Sequence, residues 1–171
     1  MLNTRQKEKH YVRVQTLAGI VIAFAMSANA LAMDYKAGSI EIMNPWSRAT
    51  PKGAQNAVGY MTIKNNGTMP DRLIGGSTDV AETFQLHSMV MENGIAKMQE
   101  LPNIELKPGQ TIEFKPGGSH TMFVKLKHPL TKGDRVTGTL VFERAGNVQI
   151  EYSVEDVGAQ SASQGMDHTH H

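Results

Sequence analysis

The chain has 171 residues, and its 17 Lys and Arg nearly balance 16 Asp and Glu, for a formal net charge of +1. This length allows one ordinary domain, and the charge gives no reason to expect nucleic acid or a membrane surface as a partner. Because the chain has no Cys, disulfides, thiolate zinc sites, iron–sulfur clusters and thiolate copper sites are excluded. Its sulfur is thioether sulfur, in 11 Met, several of which stand close to His.

Residues 1–32 are predicted to be a secretory signal peptide. A basic start is followed by an apolar run over 17–26 and then by small residues. The apolar run is shorter than the roughly 20 residues that a membrane span needs. An A-x-A pattern predicts cleavage after Ala30 or Ala32, which leaves an exported chain with no stable membrane insertion. An uncleaved N-terminal anchor is the alternative.

The mature chain alternates short β-type runs with turn signals, which predicts an all-β sandwich or barrel. Without the first 32 of its 171 residues it has 139, enough to bury a core without disulfides. It shows no internal repeat and no convincing helical periodicity over ten or more residues. We place the domain at residues 33–157 and a flexible polar tail at 158–171. The predicted strands are 39–43, 57–64, 72–77, 82–91, 95–101, 111–114, 121–127, 135–143 and 148–155.

An Asn-Gly pair at 93–94 is the strongest two-residue hairpin signal in the chain. If these residues form the loop, counting outward places Met89 opposite Met98 and His87 opposite Glu100. His87 and Met98 then share a face as diagonal neighbours, about 7–8 Å apart between backbones. An imidazole and a thioether can reach one ion across that gap.

A second His/Met pair follows the Gly-rich turn at 117–118. His120 and Met122 are two residues apart, so on a strand they share a face. Together the two pairs follow the spacing His-x10-Met-x21-His-x-Met. The candidate metal ligands are therefore His87, Met98, His120 and Met122.

This ligand set suits Cu(I). Thioether sulfur is soft and neutral and imidazole is borderline, whereas Ca²⁺ and Mg²⁺ take oxygen and Zn²⁺ favours thiolate, imidazole and carboxylate. Four protein ligands leave no obvious open position for a substrate, which favours a binding protein over an enzyme.

Each of these residues also has an ordinary structural interpretation. A single Met on a strand usually fills a core, and a single His is usually a surface residue. We expect Met89 to line the site and Met91 to pack at the hairpin end, and we expect His128 to be structural or exposed. Glu100 is either a solvated surface residue or an outer partner that orients His87.

The C-terminus carries a second group of nitrogen donors. Imidazoles beside Asp167 suit Cu(II) better than Cu(I), so a weak surface site that scavenges metal is one interpretation. A fragment of a purification tag is the alternative. The candidate tail ligands are Met166, His168, His170 and His171.

Several further segments accompany the His/Met spacing: NPWSRATP at 44–51, YMTIKN at 60–65, DRLIG at 71–75 and LKHPL at 126–130. Together they resemble the periplasmic copper chaperones of the PCuAC type. The resemblance implies a cupredoxin-like Greek-key β-sandwich in the periplasm and a Cu(I) site at the four ligands named above. It also implies copper delivery to the CuA centre of cytochrome c oxidase, alongside Sco-type thiol proteins. Some members of the family have a C-terminal extension that binds Cu(II), which the tail resembles.

Other classes of function make different demands on the residues. Blue-copper electron transfer needs a Cys ligand, which is absent. A copper oxidase needs an open position and an acid/base cluster, for which the sequence offers no candidate. A periplasmic copper-tolerance or scavenging protein and, less favoured, a metal-free interaction sandwich stay open as alternatives to the copper chaperone.

Overall fold

The computed structural model describes residues 34–162, all of them in strands, turns and loops. No helix forms in this range, and hence none that is long and apolar enough to cross a membrane. The predicted signal peptide and the four candidate tail ligands lie outside the described residues. The strands are β1 Asp34–Ala37, β2 Ile40–Arg48, β3 Asn56–Asn65, β4 Asp71–Thr78, β5 Ala81–Glu92, β6 Ile95–Leu101, β7 Ile104–Leu106, β8 Thr111–Phe114, β9 His120–Leu126, β10 Arg135–Phe142 and β11 Gly146–Glu155.

Hydrogen bonds connect the strands in the order β6-β5-β9-β3-β2-β11-β10-β4-β7, with β1 added to β2 and β8 added to β3. The pairings are antiparallel except that of β11 with β2, which is parallel. The all-β class predicted from the turn-rich sequence is therefore confirmed.

This path of strands folds back over itself. The rings of Phe123 on β9 and Tyr152 on β11 meet edge to face with centroids 5.2 Å apart, although two strands separate them along the path. Likewise, a Cβ on Gly76 of β4 would stand 2.9 Å from the ring of Phe84 on β5. The two halves of the path thus enclose one core between them, as in a sandwich.

The core takes alternate side chains from the strands, as period-two patterning requires. On β11 the apolar face, formed by Val148, Ile150, Tyr152 and Val154, is buried throughout. The opposite face of β5 and β9 is not part of that core, and it carries the His and Met residues described below. The largest fully buried side chains are Tyr152, Phe123, Phe142, Ile40, Ile42, Met61, Ile63, Leu73, Leu106, Leu130, Leu140 and Ile150.

All nine predicted strands form, and β6 and β8 have the predicted bounds. The short strands β1 and β7 were not predicted. β2 also runs past its predicted end at residue 43, because the register shifts between Met43 and Trp46 and Asn44 adopts a φ of 49°. This bulge lets a proline lie inside the strand without breaking its pairing.

Candidate metal site

Two histidines meet where the β5–β6 hairpin joins β9. In the antiparallel pairing of β5 with β9, His87 lies directly opposite His120. Their rings are near parallel, at 26°, with centroids 5.6 Å apart. Both residues are buried, at 9% and 5% exposure. The site therefore begins with two imidazoles that face one another with little access to water.

Each imidazole has one nitrogen engaged within the protein and one nitrogen free. His120 Nδ1 is 3.0 Å from the carbonyl oxygen of Gly118, and His87 Nε2 is 3.1 Å from Oε1 of Gln85. Within the part of the chain that the structure describes, His87 Nδ1 and His120 Nε2 are buried and have no hydrogen-bond partner. Buried polar atoms are normally paired, so two such nitrogens on neighbouring rings indicate a place for an ion.

The electrostatics keep one of these nitrogens available. Burial lowers the pKa of the His87 imidazole, and the neighbouring His120 lowers it further, whereas Glu100 opposes the shift. The neutral ring, which has the lone pair that a metal needs, is therefore favoured at neutral pH.

The two methionines lie on the same face as the histidines. Met122 is two residues beyond His120 on β9 and is partly buried. Met98 is on β6, diagonal to His87, and is 51% exposed. The ligand set thus has a buried nitrogen side and a sulfur side that reaches the surface.

The hairpin has the register predicted from its turn. Glu92 pairs with Ile95, Met89 with Met98 and His87 with Glu100. The turn residues at 93–94 have φ values of 53° and 78°, as a type I′ turn requires. The Asn-Gly signal therefore sets which β6 side chains face His87.

Two nitrogens and two thioethers, all neutral, form a soft donor set that fits Cu(I) and leaves its single charge uncompensated. Among residues 34–162 no three His, Cys, Asp or Glu side chains gather around a point where they could hold an ion.

The residues set apart from the ligand set have varied surroundings. Met89 is partly buried opposite Met98, as expected for a lining residue. Met91 is 71% exposed, so the prediction that it packs at the hairpin end was wrong; it stands next to the turn, beyond the sheet that could cover it. His128 is exposed, and its Nδ1 lies 3.2 Å from the carbonyl oxygen of Pro129.

Sequence reasoning missed the groups that hold the two rings. Gln85 lies two residues before His87, so the period-two argument that groups His87 with Met89 could have found it. The carbonyl of Gly118 could not be found in this way, because its direction depends on the turn that precedes β9. Glu100 faces His87 as predicted, but its carboxylate hydrogen-bonds to Gln85.

Fold and site together define a class of protein, a cupredoxin-like β-sandwich with two His and two Met on one face. Residues 40–154 match the model of the LpqE-like family, which is described as "Putative lipoprotein LpqE-like". The chain belongs to this family.

Individual relatives agree with this assignment. "Putative lipoprotein Lxx21020" of Leifsonia xyli subsp. xyli is 30% identical over 156 residues, which cover 88% of this chain and 93% of the relative. The apo PCuAC domain of PmoF2 is 34% identical with a TM-score of 0.66, over 76% of this chain and 100% of that one. The copper-bound PCuAC domain from PmoF2 is also 34% identical, with a TM-score of 0.64, over 72% and 98%. The predicted PCuAC resemblance and the cupredoxin-like fold are confirmed.

Proposed function

We propose that this protein is an exported copper carrier that holds one Cu(I) ion between His87, His120, Met98 and Met122. The observation that carries the proposal is the pair of buried, unpartnered imidazole nitrogens within the described chain, on rings 5.6 Å apart. Two thioethers on the same face supply soft ligands beside them. The solved copper-bound domain from PmoF2, 34% identical to this chain, supports copper as the ion.

Release of the ion follows from the exposure of the sulfur side. A partner can approach Met98, which is half exposed on the strand at the end of the sheet path. A thioether is a neutral and weak ligand, so an acceptor with thiolates can replace it stepwise. This is ligand exchange, in which no bond of a substrate is broken, so the protein is a carrier and not an enzyme.

The ligand set is tested by titrating the reduced apo protein with Cu(I) against a competing chelator. We expect one tightly bound Cu(I), with sharply weaker binding in His120→Ala and in Met122→Ala. His128→Ala and Met69→Ala are the matched controls, because both side chains are exposed and neither belongs to the ligand set. Unchanged Cu(I) affinity in both ligand variants would sink the four-ligand site.

The acceptor that we propose is the apo CuA domain of cytochrome c oxidase, with a Sco-type thiol protein acting in the same assembly in the periplasm. The PCuAC resemblance supports this acceptor. Transfer can be followed by NMR after mixing the Cu(I)-loaded protein with an apo CuA domain. Appearance of the metal-loaded CuA signals supports delivery. Tight Cu(I) binding without transfer to CuA or to a Sco-type protein would instead favour copper tolerance or scavenging.

For the tail we propose a separate, weaker Cu(II) site. Arg48 Nε donates a 2.7 Å hydrogen bond to the carbonyl of Ala159, which keeps the chain near β2 beyond residue 157. Ser47, the residue before Arg48 on β2, pairs with Gly59 of β3. Cu(II) titration of the full chain against a chain ending at Val157 tests the site, and equal Cu(II) binding by both would contradict it. The proposed ligands are Met166, His168, His170 and His171.

A further inference from the structure

Two polar side chains outside the ligand set lie against His87. Gln85 precedes His87 by two residues on β5 and pairs with Met122 of β9, so it lies on the site face. Glu100 lies opposite His87 across the hairpin. Gln85 Nε2 is 3.1 Å from Glu100 Oε2, and Gln85 Oε1 is 3.1 Å from His87 Nε2. The three side chains form a continuous hydrogen-bonded relay from the surface to the buried ring.

The direction of each hydrogen bond in this relay follows from the carboxylate of Glu100 at its outer end. The carboxylate of Glu100 can only accept, so the amide Nε2 of Gln85 must donate to it. This orientation turns the amide oxygen of Gln85 toward His87, and because that oxygen only accepts, His87 Nε2 must donate. The lone pair of His87 then belongs to Nδ1, the nitrogen that is buried without a partner in the described chain.

His120 has the opposite tautomer, and a different group fixes it. The carbonyl oxygen of Gly118 accepts a 3.0 Å hydrogen bond from Nδ1, which leaves the lone pair on Nε2. Backbone thus fixes one ring, and a relay of side chains fixes the other. The two rings therefore carry their lone pairs on different nitrogens, Nδ1 of His87 and Nε2 of His120.

We propose that Gln85 and Glu100 are positioning residues that hold His87 with its Nδ1 lone pair toward the Cu(I) ion. The proposal rests on the proposed function for the identity of the ion. Outer partners that orient a ligating histidine typically change metal affinity 10–100-fold when removed. Gln85 and Glu100 touch the ligand and not the ion, so their effect is on the orientation and protonation pattern of the ring.

The first test uses the apo protein and needs no metal. Long-range ¹H–¹⁵N NMR spectra of the full chain at neutral pH report which ring nitrogen of each histidine carries the proton. We expect a proton on Nε2 of His87 and on Nδ1 of His120. We also expect the His87 Nε2–H signal to be visible and slow to exchange because it is hydrogen-bonded. A proton on Nδ1 of His87 would overturn the proposal.

The second test compares variants. Gln85→Leu should abolish the slow-exchanging His87 Nε2–H signal, leave the His120 signal in place and weaken Cu(I) binding about 10–100-fold. Gln99→Leu is the matched control, because Gln99 is exposed on β6 and pairs with Ser88, on the face away from His87. It should change neither signal nor affinity.

A rescue separates positioning from packing. The double exchange Gln85→Glu with Glu100→Gln reverses the two groups and keeps the chain, since a carboxylate at position 85 accepts from both the ring and the amide at position 100. We expect it to restore the Nε2–H signal and most of the affinity that Gln85→Leu loses. Loss of affinity without this rescue would assign Gln85 a packing role and contradict the proposal.

Failure of the proposed function looks different from failure of this inference. If the wild-type chain binds no Cu(I) yet shows the expected tautomers, the carrier function fails while the relay stands as an orienting device. If Cu(I) binds tightly and Gln85→Leu changes neither the His87 signal nor the affinity, the relay fails and the carrier function stands.

Discussion

At the scale of single residues, the four candidate ligands differ most in their access to water. The two histidines are 9% and 5% exposed, whereas Met98 is 51% exposed. Nitrogen ligands are therefore held by the fold, and one sulfur ligand stands where a partner can replace it. Two buried nitrogens and one exposed sulfur suit an ion that is bound and then transferred to a partner.

The lowered pKa of His87 predicts how the stability of the apo protein depends on pH. Because burial and His120 disfavour the imidazolium in the folded state, the unfolded chain takes up this proton at a higher pH, near its usual value of about 6.5. The contribution of His87 to stability is therefore complete above that pH and declines as the pH falls through and below it. Urea unfolding of the wild type and of His87→Asn at several pH values measures this. An identical pH dependence in both proteins would contradict the assignment.

Met98 tests whether a candidate ligand can be removed with loss of Cu(I) affinity but little loss of stability. Because its side chain is half exposed, Met98→Ala should change the free energy of unfolding by less than about 0.5 kcal/mol. Cu(I) affinity should nevertheless fall by roughly tenfold or more, equivalent to about 1.4 kcal/mol. Met91→Ala is the control, since Met91 is exposed on the same hairpin. Equal Cu(I) affinity in the two variants would remove Met98 from the ligand set.

At the scale of elements, the site depends on one hairpin lying against one strand. The register of β5 with β6 could be predicted because an Asn-Gly turn fixes the pairing locally. The pairing of β5 with β9 could not, because about thirty residues separate His87 from His120 in the chain and no local signal sets their register. The spacing of His and Met indicated that the β5–β6 hairpin and β9 meet. The hydrogen bonds of the two rings with Gln85 and Gly118 depend on the geometry of that meeting.

The position of β9 depends on a close approach to β3 beneath the site. A Cβ on Gly59 would stand 2.4 Å from Oγ1 of Thr121 and 2.7 Å from the ring of Phe123. Thr121 lies between the two candidate ligands of β9, and its hydroxyl donates to the carbonyl of Gly59. Gly59→Ala must therefore displace side chains of the strand that carries His120 and Met122.

We expect Gly59→Ala to cost about 1–3 kcal/mol of folding free energy, as overpacking does, and to weaken Cu(I) binding as well. Gly158→Ala is the matched control, because among the described residues a Cβ there meets nothing within 4 Å and Gly158 has no contact with the candidate site. Thermal unfolding and Cu(I) titration of both variants measure the two effects. A Gly59→Ala protein with wild-type stability would show that the close approach can relax at no cost.

At the scale of the whole molecule, one buried carboxylate fastens strands that do not carry the candidate ligands. Asp71 is a buried carboxylate at the start of β4. Its oxygens accept from the backbone N–H groups of Arg72, Arg144 and Ala145 at 2.7–2.9 Å. This fastening joins β4 to the β10–β11 turn, and none of these strands pairs with β5 or β9.

Asp71→Ala should therefore destabilise the protein by roughly 1–3 kcal/mol, because three partly buried backbone N–H groups lose their charged acceptor. Cu(I) affinity of the folded variant should stay at the wild-type value. Chemical denaturation and Cu(I) titration at a temperature where the variant is folded give the two quantities. A large loss of Cu(I) affinity in folded protein would show that Asp71 and the metal site are coupled.

In the proposed site, two nitrogens and two thioether sulfurs of this chain bind Cu(I). X-ray absorption at the copper edge of the Cu(I)-loaded protein measures these neighbours directly. The structure predicts two nitrogen and two sulfur scatterers, with one sulfur fewer in Met98→Ala and in Met122→Ala. A copper environment of nitrogen and oxygen alone, or one unchanged in both methionine variants, would contradict the claim.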